Sequence, residues 1–205
     1  TQLSKVTIPE TATNIYADAF TDTPWLKAKQ SENPLVIVND VLIDGRACTG
    51  DVIIPDSVTA ISARAFKGCK SITSVTIPDD VQNIGIQTFD GCENLETVVL
   101  PTNLQTIDYQ AFNGCKKLKN ITMPDSVTSI GFSTFGKCES LTSINIPSGV
   151  TSISESVFSE CSGLTSLSIP SGVTSIGGSA FSGCSGLTSI VIPEGVTSIE
   201  WSVFS

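Results

Sequence analysis

Proline recurs in this chain at a fixed interval of 23 residues, and this period constrains the fold more than any other feature. Seven prolines occupy equivalent places: Pro55, Pro78, Pro101, Pro124, Pro147, Pro170 and Pro193. Pro9 lies 46 residues before the first of them, which is two intervals. A fixed period of about 20–50 residues is typical of stacked units, each of which buries its apolar face against its neighbours. The sequence therefore predicts a stack of coils rather than one or two globular domains.

The residues between the prolines repeat as well. If each proline is position 0, position 6 holds isoleucine, position 11 phenylalanine and position 14 cysteine in nearly every unit. Positions 17, 20 and 22 are aliphatic. Their spacing predicts one short β-strand per coil, which ends at the proline because proline has no amide hydrogen to donate. A second short extended segment buries positions 3 and 6, and the residues around the phenylalanine predict a single helical or 3-10 turn.

This unit has the spacing of a leucine-rich repeat, Leu-x-x-Leu-x-Leu, as at Leu141, Ile144 and Ile146. The full pattern, Pro-x-x-Val-Thr-Ser-Ile-Gly-x-x-Ala-Phe-x-Gly-Cys-x-x-Leu-Thr-Ser-Ile-x-Ile, closely resembles the BspA-like, or Treponema pallidum type, leucine-rich repeat. The resemblance implies a β-rich leucine-rich-repeat solenoid with parallel strands. It also implies a secreted or cell-surface bacterial protein that acts in adhesion, and it supplies no catalytic residues.

The two ends of the chain differ in how closely they follow the repeat. Residues 55–205 follow it closely, whereas residues 1–54 keep its register only loosely. We predict that residues 1–54 are a variant N-terminal portion of one continuous solenoid. Within them, Val36–Ile43 fits a hairpin that turns at Asn39-Asp40, and Trp25–Gln30 fits a short helix. The chain ends in the middle of a repeat without a polar cap, so we expect it to be a fragment of a longer protein.

The composition argues against several classes of function. The chain has no histidine, which excludes histidine-dependent catalytic triads and zinc sites. Its formal net charge of -9 argues against nucleic-acid binding. No stretch approaches the ~18 apolar residues of a membrane span, and no loop has the alternating oxygen ligands of a calcium site. We predict no catalytic residue, metal or cofactor.

The cysteines are the first candidates for chemistry, because six of them recur one coil apart, at Cys69, Cys92, Cys115, Cys138, Cys161 and Cys184. Side chains stacked in this way run parallel, whereas a disulfide needs converging Cβ atoms about 3.8 Å apart. We therefore predict a ladder of buried free thiols. Cys48 lies outside the ladder, and the sequence leaves its exposure open.

Two groups of residues are candidates for a binding surface. The strand-surface group occupies strand positions that should face solvent, and it is the most varied part of a row rich in Thr and Ser: Glu96, Val99, Lys119, Asn120 and Thr122. The second group occupies position 8 of three consecutive units, and we call it the aromatic stripe after its two rings: Ile86, Tyr109 and Phe132. If position 8 points outward, the stripe is an exposed apolar patch of the kind that marks contacts. If it packs under the turn, these side chains belong to the core.

The leading hypothesis is a non-enzymatic adhesion or interaction scaffold, secreted or on the cell surface, that binds an extracellular protein or glycan. The alternative is an architectural spacer that holds other domains away from the cell envelope, which the near-identical repeats after Ser148 favour. A third option is ice binding, because threonine recurs at position 4, although Gln82 and Gln105 interrupt the array.

Overall fold

The computed structural model describes residues 1–205, and short strands supply most of its regular structure. The strands are β1 (Val36–Val38), β2 (Val41–Asp44), β3 (Gly50–Ile53), β4 (Ala60–Ile61), β5 (Ile72–Thr76), β6 (Asn83–Ile84), β7 (Thr97–Val99), β8 (Thr106–Ile107), β9 (Ser129–Ile130), β10 (Ser143–Asn145), β11 (Ser152–Ile153), β12 (Ser166–Ser168), β13 (Ser175–Ile176) and β14 (Ser198–Ile199). A 3-10 helix, Ala17–Phe20, and one α-helix, α1 (Pro24–Glu32), precede them. None of the helices has the length and apolar character that crossing a membrane requires.

Corresponding strands of successive coils pair in parallel, so the coils stack in sequence order. One row contains the sheet β3-β5-β7 and the pair β10-β12. A second row contains the sheets β6-β8-β9 and β11-β13-β14. Residues 23 apart lie opposite each other, as Ile153 and Ile176 do in β11 and β13. The sequence period is therefore one coil, and the predicted leucine-rich-repeat solenoid with two extended segments per coil is confirmed.

The segment around each phenylalanine consists of turns. The amide of Ala65 donates to the carbonyl of Ser62, which is the i to i+3 bonding of a 3-10 helix. Position 9 has positive φ in every regular coil, 65° at Arg64, and this conformation divides the segment into separate turns. Alternate amides, such as that of Phe66, donate to the next coil instead. A continuous 3-10 helix is present only at Ala17–Phe20.

A single hydrophobic core extends along the stack from Leu42 to Val203. At its centre, phenylalanine rings of successive coils lie face to face. The ring centroids of Phe89 and Phe112 are 5.2 Å apart, with 8° between the ring planes. Burial of such a side chain is worth about 1.5–3 kcal/mol, and a stacked aromatic pair adds about 0.5–1.5 kcal/mol. The phenylalanine ladder therefore contributes directly to cohesion between coils.

The N-terminal elements pack at the start of the stack. The hydroxyl of Thr23 accepts a hydrogen bond from the amide of Leu26 and caps α1. β1 and β2 pair antiparallel, and Asn39 and Asp40 between them both have positive φ, as a type I′ hairpin turn requires. β2 then pairs in parallel with β4, which joins the hairpin to the first regular coil.

A buried ion pair links these elements. The carboxylate of Asp44 is fully buried, contacts the guanidinium of Arg46 and accepts a hydrogen bond from the side-chain Nε2 of Gln30 in α1. Arg46 also donates to the hydroxyl of Thr21 at 3.3 Å. The Gln30–Asp44 hydrogen bond therefore attaches α1 to β2, and Arg46 compensates the buried charge of Asp44.

Candidate functional site

The cysteines are structural rather than reactive. All seven are buried and free, including Cys48 at 4% exposure, so the exposure that the sequence left open for Cys48 is excluded. The Cys138 thiol donates to the carbonyl of Phe112 in the preceding coil at 3.3 Å. Burial raises the pKa of the Cys138 thiol to about 12, and burial likewise raises the pKa of Cys48 to about 12. Because the thiolate is the nucleophile and the metal ligand, these neutral thiols are inert.

Most lysines are paired with a carboxylate at the same position of an adjacent coil. Five such pairs span the stack: Lys67–Asp90, Lys70–Glu93, Lys116–Glu139, Lys119–Glu96 and Lys137–Glu160. Each is on the surface, where an ion pair contributes only about 0–1 kcal/mol. Their effect is to neutralise the charges of neighbouring coils, so the basic cluster at Lys116, Lys117 and Lys119 is largely compensated.

The strand-surface group comes together on one face of the stack. The Lys119 ammonium lies 2.7 Å from the Glu96 carboxylate, and this hydrogen-bonded contact lowers the pKa of Glu96. Val99 is exposed on β7, and Thr122 is exposed one coil further along. Asn120 lies opposite Thr97 in an isolated parallel bridge. The charged members of this group therefore neutralise each other, and Val99 is its one exposed large apolar side chain.

The aromatic stripe lies on the surface of the stack. Ile86 is 39% exposed, Tyr109 38% and Phe132 36%. The amide of Gln110 donates to the carbonyl of Phe132, and the amide of Gln87 donates to that of Tyr109, so position 8 of each coil is held beside position 8 of the next. The rings of Tyr109 and Phe132 stack with centroids 5.4 Å apart. Of the two alternatives for position 8, the structure shows the outward orientation.

Acidic side chains and a cleft border the stripe. Asp108 precedes Tyr109, and Glu155 follows Phe132 at position 8 of the next coil; both are exposed. Neither belongs to any of the ion pairs of the structure. On the other side, Ile86 borders a cleft of about 230 Å³ that Tyr16 also lines. The stripe is thus an apolar surface with uncompensated negative charge beside it.

Sequence reasoning missed one large side chain of the same row. Trp201 occupies position 8 of the last unit and is 61% exposed. Its indole covers Gly178, where an added Cβ would lie 2.5 Å from the ring. Trp201 can be assigned to position 8 from the sequence, because it lies 23 residues after Gly178. Because Glu155 and Gly178 separate Trp201 from Phe132, it does not extend the stripe.

The threonines at position 4 are partly engaged in the stack. The hydroxyl of Thr174 donates to the carbonyl of Thr151, and the hydroxyl of Thr197 donates to that of Thr174, each at 3.3 Å. These hydroxyls stabilise neighbouring coils, and the two glutamines interrupt their row. The interrupted row therefore gives less support to ice binding than the exposed side chains described above give to binding a partner.

Comparison with known proteins gives a consistent set of similarities. The family model described as BspA type leucine rich repeat region matches residues 46–162 and 107–205, with six copies. A leucine-rich repeat protein from Bacteroides ovatus is 32% identical, with a TM-score of 0.61 and coverage of 78% of this chain and 47% of that one. The T. pallidum leucine-rich repeat protein TpLRR is 28% identical, with a TM-score of 0.52 and coverage of 67% and 77%.

A further similarity concerns the fold alone. The pneumococcal vaccine antigen PcpA is 19% identical, with a TM-score of 0.54 and coverage of 78% of this chain and 39% of that one. The chain spans about half the length of the Bacteroides ovatus protein. No curated protein matches it. None of these similarities indicates a catalytic family.

Proposed function

Because the chain belongs to the BspA-type leucine-rich repeat family, we propose that it is a non-enzymatic adhesion scaffold, secreted or on the cell surface, that binds an extracellular protein or glycan. The observation that carries the proposal is the aromatic stripe. Its three side chains are partly exposed on adjacent coils, and the rings of Tyr109 and Phe132 stack on each other. Aromatic side chains dominate the energetic centres of protein interfaces, and exposed apolar patches mark contact sites.

The rigidity of the stack supports this role. Tyr109 and Phe132 are held by backbone hydrogen bonds between coils and by stacking on each other, so binding a partner orders little that is not already ordered. A partner that covers the rings also removes apolar area from water, at about 25 cal/mol per Å². The strand-surface group offers a second surface, where Val99 lies beside the Glu96–Lys119 pair.

The alternative proposal is an architectural spacer, and the later coils support it. After Ser148 the side chains of the strand row are mostly serine and threonine, and the chain has no lysine or arginine beyond Lys137. Such a surface offers few anchors for a partner. The two proposals differ in one respect that can be measured: a spacer has no binding surface of its own.

Substitution of Phe132 by glutamate tests the scaffold against the spacer. Glutamate already occupies the equivalent position of the next coil, at Glu155, so Phe132→Glu is compatible with the coil. The matched control, Asn145→Glu, adds the same charge at an exposed position of β10. We expect wild type and the control to bind the same extracellular proteins or glycans in an array, and Phe132→Glu to bind at least tenfold more weakly. Absence of any wild-type binding would favour the spacer.

A further inference from the structure

We infer that the aromatic stripe receives one face of an amphipathic α-helix from a partner protein, with a basic side chain of that helix placed against Glu155. This inference rests on the proposed scaffold function and specifies the shape and charge of the partner. It follows from three observations: the spacing of the stripe, the orientation of its rings and the unpaired carboxylates beside it.

The spacing of the stripe matches the pitch of a helix. The ring centroids of Tyr109 and Phe132 are 5.4 Å apart, because they belong to adjacent coils. An α-helix advances about 5.4 Å per turn and presents side chains three or four residues apart on one face. A helix parallel to the stack therefore places one apolar side chain beside each coil. Side chains on one face of a β-strand are about 6.7 Å apart, so a strand loses register by more than ~1 Å at every coil.

The ring orientation favours a protein side chain over a sugar ring. Tyr109 and Phe132 stack with only 15° between their planes, so each ring covers one face of the other. A sugar would need an open ring face on which to lie flat. Because the stacked rings are in contact, the side chains of a partner must pack on the surface of the stripe and not between its rings. Aliphatic side chains along one helix face can pack on such a surface without needing a free ring face.

The charges beside the stripe select a cationic partner. Glu155 continues the row directly after Phe132, and Asp108 lies next to Tyr109. Both carboxylates are exposed and, like most acidic side chains of the chain, outside every ion pair, so no lysine or arginine neutralises the charge beside the stripe. A lysine or arginine one turn beyond the apolar side chains would meet Glu155. Such complementarity chiefly sets specificity and association rate.

The length of the surface fits a short helix. Three coil steps separate Ile86 from Glu155, which is roughly 15 Å at the usual spacing between strands. About ten residues of helix cover this distance at about 1.5 Å per residue.

Selection from two peptide libraries tests the inference. One library displays a randomised helix face on a fixed helical-bundle scaffold, and the other displays unstructured peptides of about twelve residues in the same format. Both are panned against the full chain. We expect helix clones with apolar side chains three and four residues apart and a lysine or arginine at one end. Their binding should fall at least tenfold with Phe132→Glu and about threefold with Glu155→Gln, and should be unchanged with Asn145→Glu.

The outcomes separate this inference from the proposed function. Three results would contradict a helical partner. They are binders from the unstructured library alone, no helix clones at all, and helix clones whose binding does not change with Phe132→Glu. If the array ligands nevertheless lose binding with Phe132→Glu, the scaffold proposal stands and only the helix is wrong. If neither set of ligands responds to Phe132→Glu, both conclusions fail.

Discussion

Replacing Phe135 with alanine should destabilise the protein clearly more than the same replacement at Phe132, three residues earlier in the same coil. Phe135 is fully buried, and its ring stacks between those of Phe112 and Phe158 at 5.6 and 5.8 Å. Phe132 is 36% exposed and stacks on Tyr109 alone. The two substitutions remove the same atoms from the same coil, so their effects on the unfolded chain are similar.

The magnitudes follow from these environments. Alanine at position 135 leaves a closed cavity between two aromatic rings, and such a truncation costs about 3–5 kcal/mol. At position 132 the vacated space opens to solvent. The loss there is about two thirds of the ~1.5–3 kcal/mol for full burial, together with one stacked pair, or about 1.5–3.5 kcal/mol in total. The expected difference between the two variants is about 1.5 kcal/mol.

Urea denaturation followed by circular dichroism measures this difference. The slope of the free energy of unfolding against urea should be the same in both variants, so that midpoints can be compared directly. A loss at Phe132 equal to or greater than that at Phe135 would refute the reasoning. It would mean that position 8 is part of the core and that the aromatic stripe is not a free surface.

Three further predictions concern stability. Burial raises the pKa of the thiols, to about 12 for Cys138, from about 9 when they are exposed. The free energy of unfolding that the neutral thiols contribute is complete below pH 9 and is lost as pH rises toward 12, by up to about 1.4 kcal/mol per thiol and pH unit. Denaturation at pH 8 and at pH 10 measures this loss. The loss should be smaller in Cys138→Ser, which has one thiol fewer. Lys137 has a φ of 60° at a position where Gly114 stands one coil earlier, and it pairs with Glu160. Lys137→Gly should therefore be about 0.5–1 kcal/mol more stable than Lys137→Ala, which loses the same ion pair but keeps the positive φ; an equal or lower melting temperature for the glycine variant would contradict this. Asp44→Ala should cost about 2–3 kcal/mol because it removes the buried acceptor of the Gln30 side chain and of the amide and guanidinium of Arg46. Hydrogen exchange in α1 should accelerate, whereas unchanged exchange would exclude this role of Asp44.

The periodicity predicted most of the fold because it specifies which residues share a place in every coil. Phe112 and Cys138 are buried in their ladders as expected, since a residue type that recurs every 23 residues has the same neighbours each time. The pairing of Lys119 with Glu96 was also readable in principle, from opposite charges exactly one period apart. This relation is visible only when residues one period apart are compared as pairs.

Local backbone conformation was not predictable in the same way. Arg64 and Gln87 have positive φ although neither is glycine, so their sequence gives no sign of the turns that divide the segment around each phenylalanine. The orientation of the aromatic stripe depends on these turns, which is why periodicity alone left position 8 undecided. Cys48 is buried in the continuous core of the stack, although it does not occupy the cysteine position of the repeat.

Oxidative footprinting of the aromatic side chains tests the central claim most directly, that the aromatic stripe is the contact surface. Hydroxyl radicals label exposed rings, and mass spectrometry measures the labelling of each with and without a bound partner from the array. We predict that the partner protects Tyr109 and Phe132 several-fold and leaves Trp201 unprotected, while buried Phe135 stays unlabelled throughout. Unchanged labelling of Tyr109 and Phe132 in the presence of a saturating partner would contradict the claim.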